Sequence, residues 1–477
     1  MKKITIISLL GVIITTFCFS QTSYPVTAIA SKDKSQTNTY KTEGGQYETQ
    51  QISLSVQQCR EMALENSEDM KIARYRNEQA RIEKRIAQIA GLPKFSASGT
   101  YAYMNSDIDI GLPEMDLKIP IMGNEVDLSD MIPETINMGT NTDIYMIGAN
   151  VQQPIYAGGR IITGNKMAEK GIEITEENKI MMRMSVIAEA EKAYWTYFSV
   201  NDKINLLRQY EALLDTLHQS VSDMVSVKMA TENDLLKITS RKSNIRYQMQ
   251  KAVNGMELSR MELCRIIGVD LDTKIILTDS VPKEDSQRPD YSYDLSMRPE
   301  YRMLQKQVEL KELNIKNVRG DYLPTVGLMA GYSYLGKIDL GGISMRMNRP
   351  SASVILSVSV PIFNFGEGSK KIENARKARD IQLEEFNKTG KQLTIEIQHA
   401  ERNLQDATLL INTAETALEQ AKANLRSVRD NYEVGMGTLL DVLDAQTQWQ
   451  EAYSNMIDAR VQYKISEVEF LRVTGRL

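Results

Sequence analysis

Apolar and small polar residues alternate along four short stretches of the chain, a pattern that predicts β-strands with one apolar and one polar face. The clearest stretch is 351–360, where Ala, Val and Leu at even positions alternate with Ser at most odd positions. The same alternation predicts strands at about 94–104, 143–153 and 325–334. Tilted strands of about ten residues match the thickness of a membrane.

A heptad pattern of apolar residues follows each pair of strands. From Leu393 to Tyr432 apolar residues recur at alternating steps of four and three, and the same register begins 207 residues earlier at Val186. This spacing predicts coiled-coil helices at about 159–226 and 367–434. A helix of that length extends about 100 Å, given a rise of about 1.5 Å per residue.

Shorter helical patterns complete the plan. Return helices are expected at about 231–267 and 438–474, each after a tight turn, and helices at about 55–90 and 297–319 lead into the first strand of each pair. The chain therefore predicts helix, strand, loop, strand, long helix, turn and return helix, in that order, twice.

Direct comparison of the two halves shows an internal repeat. Gln153-Pro-Ile-Tyr156 matches Val360-Pro-Ile-Phe363 at a displacement of 207, and Glu262–Gly268 matches Glu469–Gly475 at the same displacement. Leu92-Pro93 instead matches Leu323-Pro324 at 231, which places a 24-residue insertion in the first copy. We therefore assign repeat 1 to 51–268, a connector to 269–296 and repeat 2 to 297–477. The insertion lengthens the strand loop at about 104–143, which we expect to face the outside of the cell.

The N-terminus carries the features of an export signal. A basic start at Lys2 and Lys3 precedes an apolar run, and small residues at Cys18 and Ser20 suit cleavage after Ser20. We assign 1–20 to a signal peptide and the polar stretch 21–50 to a flexible leader.

Composition narrows the function. A net charge of −5 argues against nucleic-acid binding, and two His and three Cys argue against a metal site or a disulfide framework. Cys59 and Cys264 lie in helical patterns and are expected to be free, packed thiols. The segment 159–166 only approximates a phosphate-binding loop, and the two His form no catalytic constellation, so we expect neither an enzyme nor a cofactor.

Four strands cannot stand alone in a membrane, because open sheet edges leave backbone groups unpaired in hydrocarbon. Three chains would supply twelve strands, enough for a barrel with an open lumen, whereas about eight strands give an interior filled by side chains. The mean hydropathy of −0.34 and the lack of a long apolar run in the mature chain argue against a helical membrane protein. We therefore predict a homotrimer.

The repeat, the strand turns and the sequence Tyr432-Glu-Val-Gly-Met-Gly-Thr-Leu-Leu-Asp441 resemble the outer membrane factor family typified by TolC. The resemblance extends from about residue 52 to the C-terminus. It implies a mixed α/β membrane protein of a Gram-negative bacterium: a trimer with a 12-stranded outer membrane barrel and an α-helical coiled-coil tunnel in the periplasm.

The resemblance also implies a function and partners. Members act as the exit duct of a tripartite efflux pump or a type I secretion system for small molecules or peptides. The implied partners are a periplasmic adaptor, an inner-membrane pump of the resistance-nodulation-division or ABC type, and outer membrane lipid. The alternative is a secreted or periplasmic coiled-coil structural protein without channel activity, which would explain the heptads but not the strands.

Candidate site residues lie near the two helical turns. Asp441 and Asp444 are three residues apart and so share a helix face, and threefold symmetry would stack them as two acidic rings. The resemblance assigns them to the periplasmic aperture and assigns Asp234 and Tyr432 to a latch that holds it closed. The family's latch arginine falls at Gly437 here, so we expect a weaker or different latch.

The resemblance further assigns adaptor docking to the two turns. Gly435 matches a tip glycine of the family, whereas Lys228 replaces the corresponding glycine of the first turn. The expected docking residues are Val227, Lys228, Met229, Ala230, Thr231, Val434, Gly435, Met436, Gly437 and Thr438.

Overall fold

A computed structural model describes most of the chain beyond residue 50. The described segments are 51–111, 118–121, 124–127, 135–279, 291–335, 338–340, 343–345 and 350–477, without the side chains of 104–144 and 336–349. The predicted signal peptide 1–20, the leader 21–50 and the middle of the connector lie outside these residues.

Within the described segments the strands form a central four-stranded sheet and three small two-stranded sheets. In chain order the strands are β1 Gln51–Leu54, β2 Lys94–Gly111, β3 Lys118–Ile121, β4 Asn124–Asp127, β5 Thr135–Ala157, β6 Lys274–Leu277, β7 Thr325–Leu335, β8 Ile338–Leu340, β9 Ile343–Met345 and β10 Pro350–Ser359. The central sheet is antiparallel with the order β10-β7-β5-β2, so β5 of repeat 1 pairs with β7 of repeat 2. The edge strands are β2 and β10.

The interpretation of 104–143 as a loop is wrong at both ends. Strands β2 and β5 continue past that boundary and remain paired as far as Gly111 opposite Thr135. Their extension consists largely of Asn, Ser, Asp and Thr, which hid it from a search for apolar alternation. The hairpin of β3 and β4 also lies in the insertion.

The strand register confirms the expected two faces of the central sheet. Phe95, Ala97 and Gly99 of β2 lie opposite Val151, Ala149 and Ile147 of β5, which continues the apolar face across both strands. On the other face a hydrogen bond joins the Ser333 and Ser351 hydroxyls, whose oxygens are 3.0 Å apart. Because side chains alternate with period two, a slip of one residue would mix these faces.

Helices make up most of the other described residues in both repeats. They are α1 Val56–Asn66, α2 Glu68–Ile89, α3 Arg160–Ser226, α4 Glu232–Ile267, α5 Pro299–Gly320, α6 Glu367–Glu433 and α7 Leu439–Val473. The single helix expected at 55–90 is divided, because Ser67 leaves helical backbone and its side chain accepts a hydrogen bond from the Asp69 amide to begin α2. No helix in the described part of the chain carries an apolar stretch long enough to cross a membrane.

The heptad residues form the main core. Buried seam residues of α6 are Leu393, Ile397, Ala400, Leu404, Ala407, Ile411, Ala414 and Leu418. All of these except Leu393 pack in one cluster with Leu207, Tyr210 and Leu214 of α3 and with residues of both return helices. Cys59 and Cys264 are free and buried, as expected, and burial is the main reason why the pKa of the Cys59 thiol rises to about 12.

A small parallel sheet was not predicted from the sequence. Strand β1 pairs with β6, the strand that follows α4 in the chain. The pairing extends from Gln51 opposite Lys274 to Leu54 opposite Leu277. The Asp279 carboxylate accepts hydrogen bonds from the Val56 amide at 2.7 Å and from the Tyr194 hydroxyl at 3.1 Å. A strand of four residues is too short to be predicted from alternation. Its partner strand also lies 223 residues away in the sequence.

The corner between β5 and α3 requires glycine. Gly158 has φ 62°, in the left-handed region, and a Cβ there would collide with the backbone carbonyl oxygen of Gly320. Gly159 has φ 76° but faces open space. The repeat 2 equivalent of Gly158 is Phe365, which adopts φ 45° with its side chain exposed.

Substitution of the two adjacent glycines by alanine should separate strain from collision. Gly159→Ala should lower the free energy of unfolding by roughly 1–2 kcal/mol, the cost of left-handed backbone. Gly158→Ala should cost about 1–3 kcal/mol more, because the added methyl must displace backbone. Thermal unfolding of the detergent-extracted variants measures the difference; equal losses would contradict the packing of Gly158 on Gly320.

Candidate aperture and docking tips

The two helical turns have the same backbone construction. At the end of α3 the Met229 amide donates to the Met224 carbonyl at 2.8 Å and the Lys228 amide to Val225 at 3.0 Å. At the end of α6 the Met436 amide donates to Asn431 at 2.9 Å and the Gly435 amide to Tyr432 at 3.0 Å. Both are Schellman motifs, which satisfy the last carbonyls of each helix.

Lys228 takes the backbone conformation of the glycine that it replaces. Its φ is 62°, and the φ of Gly435 at the equivalent position is 76°. The departure from the family's tip sequence therefore leaves the fold of the turn unchanged. It adds an exposed ammonium group and the cost of a side chain in the left-handed region.

Each return helix begins with a capping box. The Thr438 side chain accepts a hydrogen bond from the Asp441 amide at 3.3 Å, and the Asp441 carboxylate accepts from the Thr438 amide at 3.0 Å and from its hydroxyl at 2.7 Å. Thr231 and Asp234 repeat the arrangement. The hydrogen bond from the Thr438 hydroxyl lowers the pKa of Asp441. The carboxylate therefore keeps its negative charge to a lower pH than an ordinary aspartate does.

Asp441 and Asp444 lie on one exposed face of α7. The residues between and beside them, Val442, Leu443 and Ala445, are buried in the helical core. The two carboxylates therefore point away from the protomer's own interior. Among the described residues no cluster of three His, Cys, Asp or Glu side chains is placed to bind a metal ion.

The expected latch residues lie near each other, but their hydrogen bonds lead elsewhere. Asp234 accepts from the Thr231 hydroxyl at 2.7 Å and from the Lys237 ammonium at 3.1 Å, and these bonds lower its pKa. The Tyr432 hydroxyl donates to the Met224 sulfur at 3.9 Å. Burial, and then the negative charge of Asp234, raise the pKa of Tyr432.

Met224 was not predicted as a site residue. Its carbonyl closes the first turn, and its sulfur contacts the hydroxyl from the end of α6. It therefore links the two tips. Its sequence context, one of 25 methionines, gives no signal for this role.

Arg241 is a second residue that sequence reasoning missed. From α4 its guanidinium donates to the Tyr210 hydroxyl on α3 at 3.2 Å and to the Thr447 hydroxyl on α7. Arg241 thus joins the return helices of the two repeats. Its partner Thr447 lies three residues beyond Asp444 in the sequence. A single arginine on a helical pattern does not reveal such a contact.

Apolar side chains are exposed at both tips. Val227 and Met229 of the first turn are 63% and 78% exposed, and Val434 and Met436 of the second are 66% and 77% exposed. Exposed turns usually carry polar residues. Exposed apolar residues at both turns are therefore the feature of this region that most strongly indicates a protein-binding surface.

A family model described as "Outer membrane efflux protein" matches residues 59–254 and 291–476, one segment in each repeat. The chain belongs to the outer membrane efflux protein family. This membership places it in the outer membrane of a Gram-negative bacterium and favours a channel over a secreted coiled-coil structural protein.

Individual relatives are distant but cover most of the chain. The chain is similar to the solvent efflux pump outer membrane protein SrpC of Pseudomonas putida, with 21% identity over 91% of this chain and 90% of the relative. It is also similar to the alkaline protease secretion protein AprF of Pseudomonas aeruginosa, with 20% identity over 67% of each. The Campylobacter jejuni CmeC outer membrane channel shares the fold, with a TM-score of 0.71, 17% identity, and coverage of 88% of this chain and 85% of CmeC.

The two turns allow a matched test of the left-handed position. Lys228→Gly should raise the free energy of unfolding by about 1 kcal/mol, because glycine removes the strain, and Gly435→Ala should lower it by about the same amount. Thermal unfolding of both variants provides the measurement. Destabilisation by Lys228→Gly would show that the lysine side chain makes stabilising contacts that outweigh the strain.

Proposed function

We propose that three copies of this chain form a passive exit duct of a tripartite efflux pump or type I secretion system. The observation that carries the proposal is the division of the chain between a sheet with an apolar outer face and two helical hairpins that end in exposed apolar tips. The sheet suits outer membrane lipid, and the tips suit a protein partner. The duct guides cargo and catalyses no reaction.

The partners follow from the two ends of the molecule. A periplasmic adaptor docks on the turns 227–231 and 434–438, and through it the duct joins an inner-membrane pump of the resistance-nodulation-division or ABC type. The names of SrpC and AprF, a solvent efflux protein and a protease secretion protein, support small molecules and peptides as the alternative cargo classes.

The aperture of the proposed duct is lined by Asp441 and Asp444. Three copies around an axis would supply two rings of three carboxylates, and acidic rings at a constriction favour cations. Beside the rings Tyr432 holds the two tips together through Met224, its hydrogen-bond acceptor, and Asp234 lies close enough for its charge to act on Tyr432. The contacts of Arg241 provide a further tie that does not depend on an arginine at position 437.

The proposed aperture is tested by removing the negative charges of Asp441 and Asp444 while keeping the capping box at the start of α7. Asp441→Asn with Asp444→Asn keeps side chains that accept hydrogen bonds but abolishes six negative charges per trimer. In planar lipid bilayers the reversal potential under a salt gradient should shift toward lower cation preference, by a several-fold change in the cation-to-anion permeability ratio. Block by divalent cations should weaken with it.

The matched control is Asp270→Asn with Asp272→Asn, which removes the same charge from exposed carboxylates beyond the opposite end of α4. The control should leave selectivity unchanged. Equal effects of the two double variants would remove the aperture assignment, and absence of any conductance from the unmodified trimer would contradict the duct itself.

Docking is tested by photo-crosslinking in cells. A benzophenone amino acid at Met229 or Met436 should capture one defined periplasmic adaptor, because both side chains are exposed at the tips. The same group at Tyr247, 71% exposed on the side of α4, is the control and should not capture it. Capture from Tyr247 but from neither methionine would contradict docking at the tips.

A further inference from the structure

A cavity of about 260 Å³ lies between α3, α6 and α7, beside the contact between Tyr432 and Met224. We call it the tip cavity. Leu213 and Leu217 of α3 line it, as does Val442 of α7, which is only 1% exposed. The tip cavity is large enough for a small organic molecule, because an apolar cavity of about 150 Å³ holds benzene.

One buried polar group in the wall of the tip cavity lacks a partner. Gln446 of α7 lines the cavity and is 5% exposed, and no described residue donates a hydrogen bond to its Oε1. An unpaired buried acceptor costs free energy of folding, and nearly all such groups in proteins are hydrogen-bonded. The free Oε1 therefore indicates that a donor from outside the described chain belongs in the cavity.

The equivalent position of repeat 1 has no such requirement. The displacement of 207 carries Thr239 onto Gln446. Thr239 is exposed, and its hydroxyl donates to the Leu235 carbonyl of its own helix at 2.9 Å. The unpaired amide is thus specific to the position in repeat 2 that faces the tip cavity.

The charges at the tip cavity favour a neutral ligand. On α6 the Arg429 guanidinium lies 3.1 Å from the Glu433 carboxylate, and both side chains are exposed. These opposite charges compensate each other, and the other described residues that line the cavity are uncharged. A charged ligand would lose its hydration without gaining a partner of opposite charge, which is costly.

Two lining side chains favour an aromatic ring over an aliphatic chain. The thioether sulfur of Met224 is of the type that makes favourable contacts with aromatic rings. The ring of Tyr432 can pair with a second ring in an offset or edge-to-face arrangement. An aromatic ring that carries a hydroxyl group satisfies both the apolar wall and the unpaired acceptor.

We propose that the tip cavity binds a small neutral phenol, whose hydroxyl donates a hydrogen bond to Gln446 Oε1 and whose ring lies between Met224 and Tyr432. A molecule seated there touches α3 of one hairpin and both α6 and α7 of the other. It therefore strengthens the contact that links the two tips. The cavity lies within one chain, so the proposal goes beyond the duct and does not depend on it.

Fluorine NMR of the detergent-extracted protein with 4-fluorophenol tests the site. Fluorobenzene, which has the same ring but no hydroxyl group, is the comparison ligand. 4-Fluorophenol should bind saturably and roughly ten-fold more tightly than fluorobenzene, because only the phenol gives Gln446 Oε1 its donor. Partition into the detergent micelle is common to all variants, so differences between variants report the site.

Gln446→Leu removes the acceptor and approximately keeps the size of the side chain. It should weaken 4-fluorophenol binding roughly ten-fold and leave fluorobenzene binding unchanged. The matched control is Thr239→Val at the equivalent position of α4, which should leave the binding of both ligands unchanged. Equal affinity of the unmodified protein and Gln446→Leu for 4-fluorophenol would overturn the proposal.

Leu217→Phe tests the location of the ligand independently of the hydrogen bond. Leu217 is partly buried and lines the cavity, so the larger ring should occupy the space and abolish saturable binding of both ligands. Binding that survives this change, or no saturable binding to the unmodified protein, would overturn the site. The readout does not involve conductance, so a failure here leaves the duct standing, and a duct without conductance leaves this site standing.

Discussion

Backbone hydrogen bonding at the edges of the central sheet is the constraint on which the rest of the structure depends. Strands β2 and β10 each have one neighbour in the sheet, and the sheet has an apolar face. In hydrocarbon each unpaired backbone group costs several kcal/mol, so such a sheet enters a membrane only if its edges are closed. The internal repeat provides the means, because the edges that remain open are copies of the edges that already meet within the chain.

The repeat also explains how a long helical assembly is held in register. Gly158 packs against Gly320 beside the sheet, ion pairs join α3 to α5 along the helices, and the heptad residues form the core between the long helices and the return helices. Ion pairs near a protein surface individually contribute little, about 0–1 kcal/mol, so we expect the buried heptad residues to supply most of the stability. The helical tips are then positioned by helices of fixed length, and their exposed apolar residues are free to meet a partner.

Much of the fold could be predicted from the sequence because period and repetition are properties of the chain itself. The seam residues of α6 and the alternating faces of β10 follow from spacing alone. The extension of β2 beyond position 104 was missed, because Asn105, Asp107 and Asp109 occupy the odd positions that are apolar earlier in the strand. Strand β1 was missed because four residues carry too little alternation. Ser67 acts as a cap that divides one helical pattern into two, which the apolar spacing does not show.

The candidate site was only partly accessible to sequence reasoning. The shared helix face of Asp441 and Asp444 follows from their three-residue spacing, but the role of Asp441 in the cap became visible only from its bonds to Thr438. Arg241 and Met224 act through partners more than 200 residues away in the chain, Thr447 and Tyr432. Such contacts depend on how the two hairpins pack, which spacing within one helix cannot report.

Closure of the open sheet edges by further copies of the same chain is tested most directly by native mass spectrometry of the detergent-extracted protein. We expect a single dominant species of three chains that dissociates to monomer only with loss of the strand signal in circular dichroism. A stable monomer that retains its strand signal would contradict it.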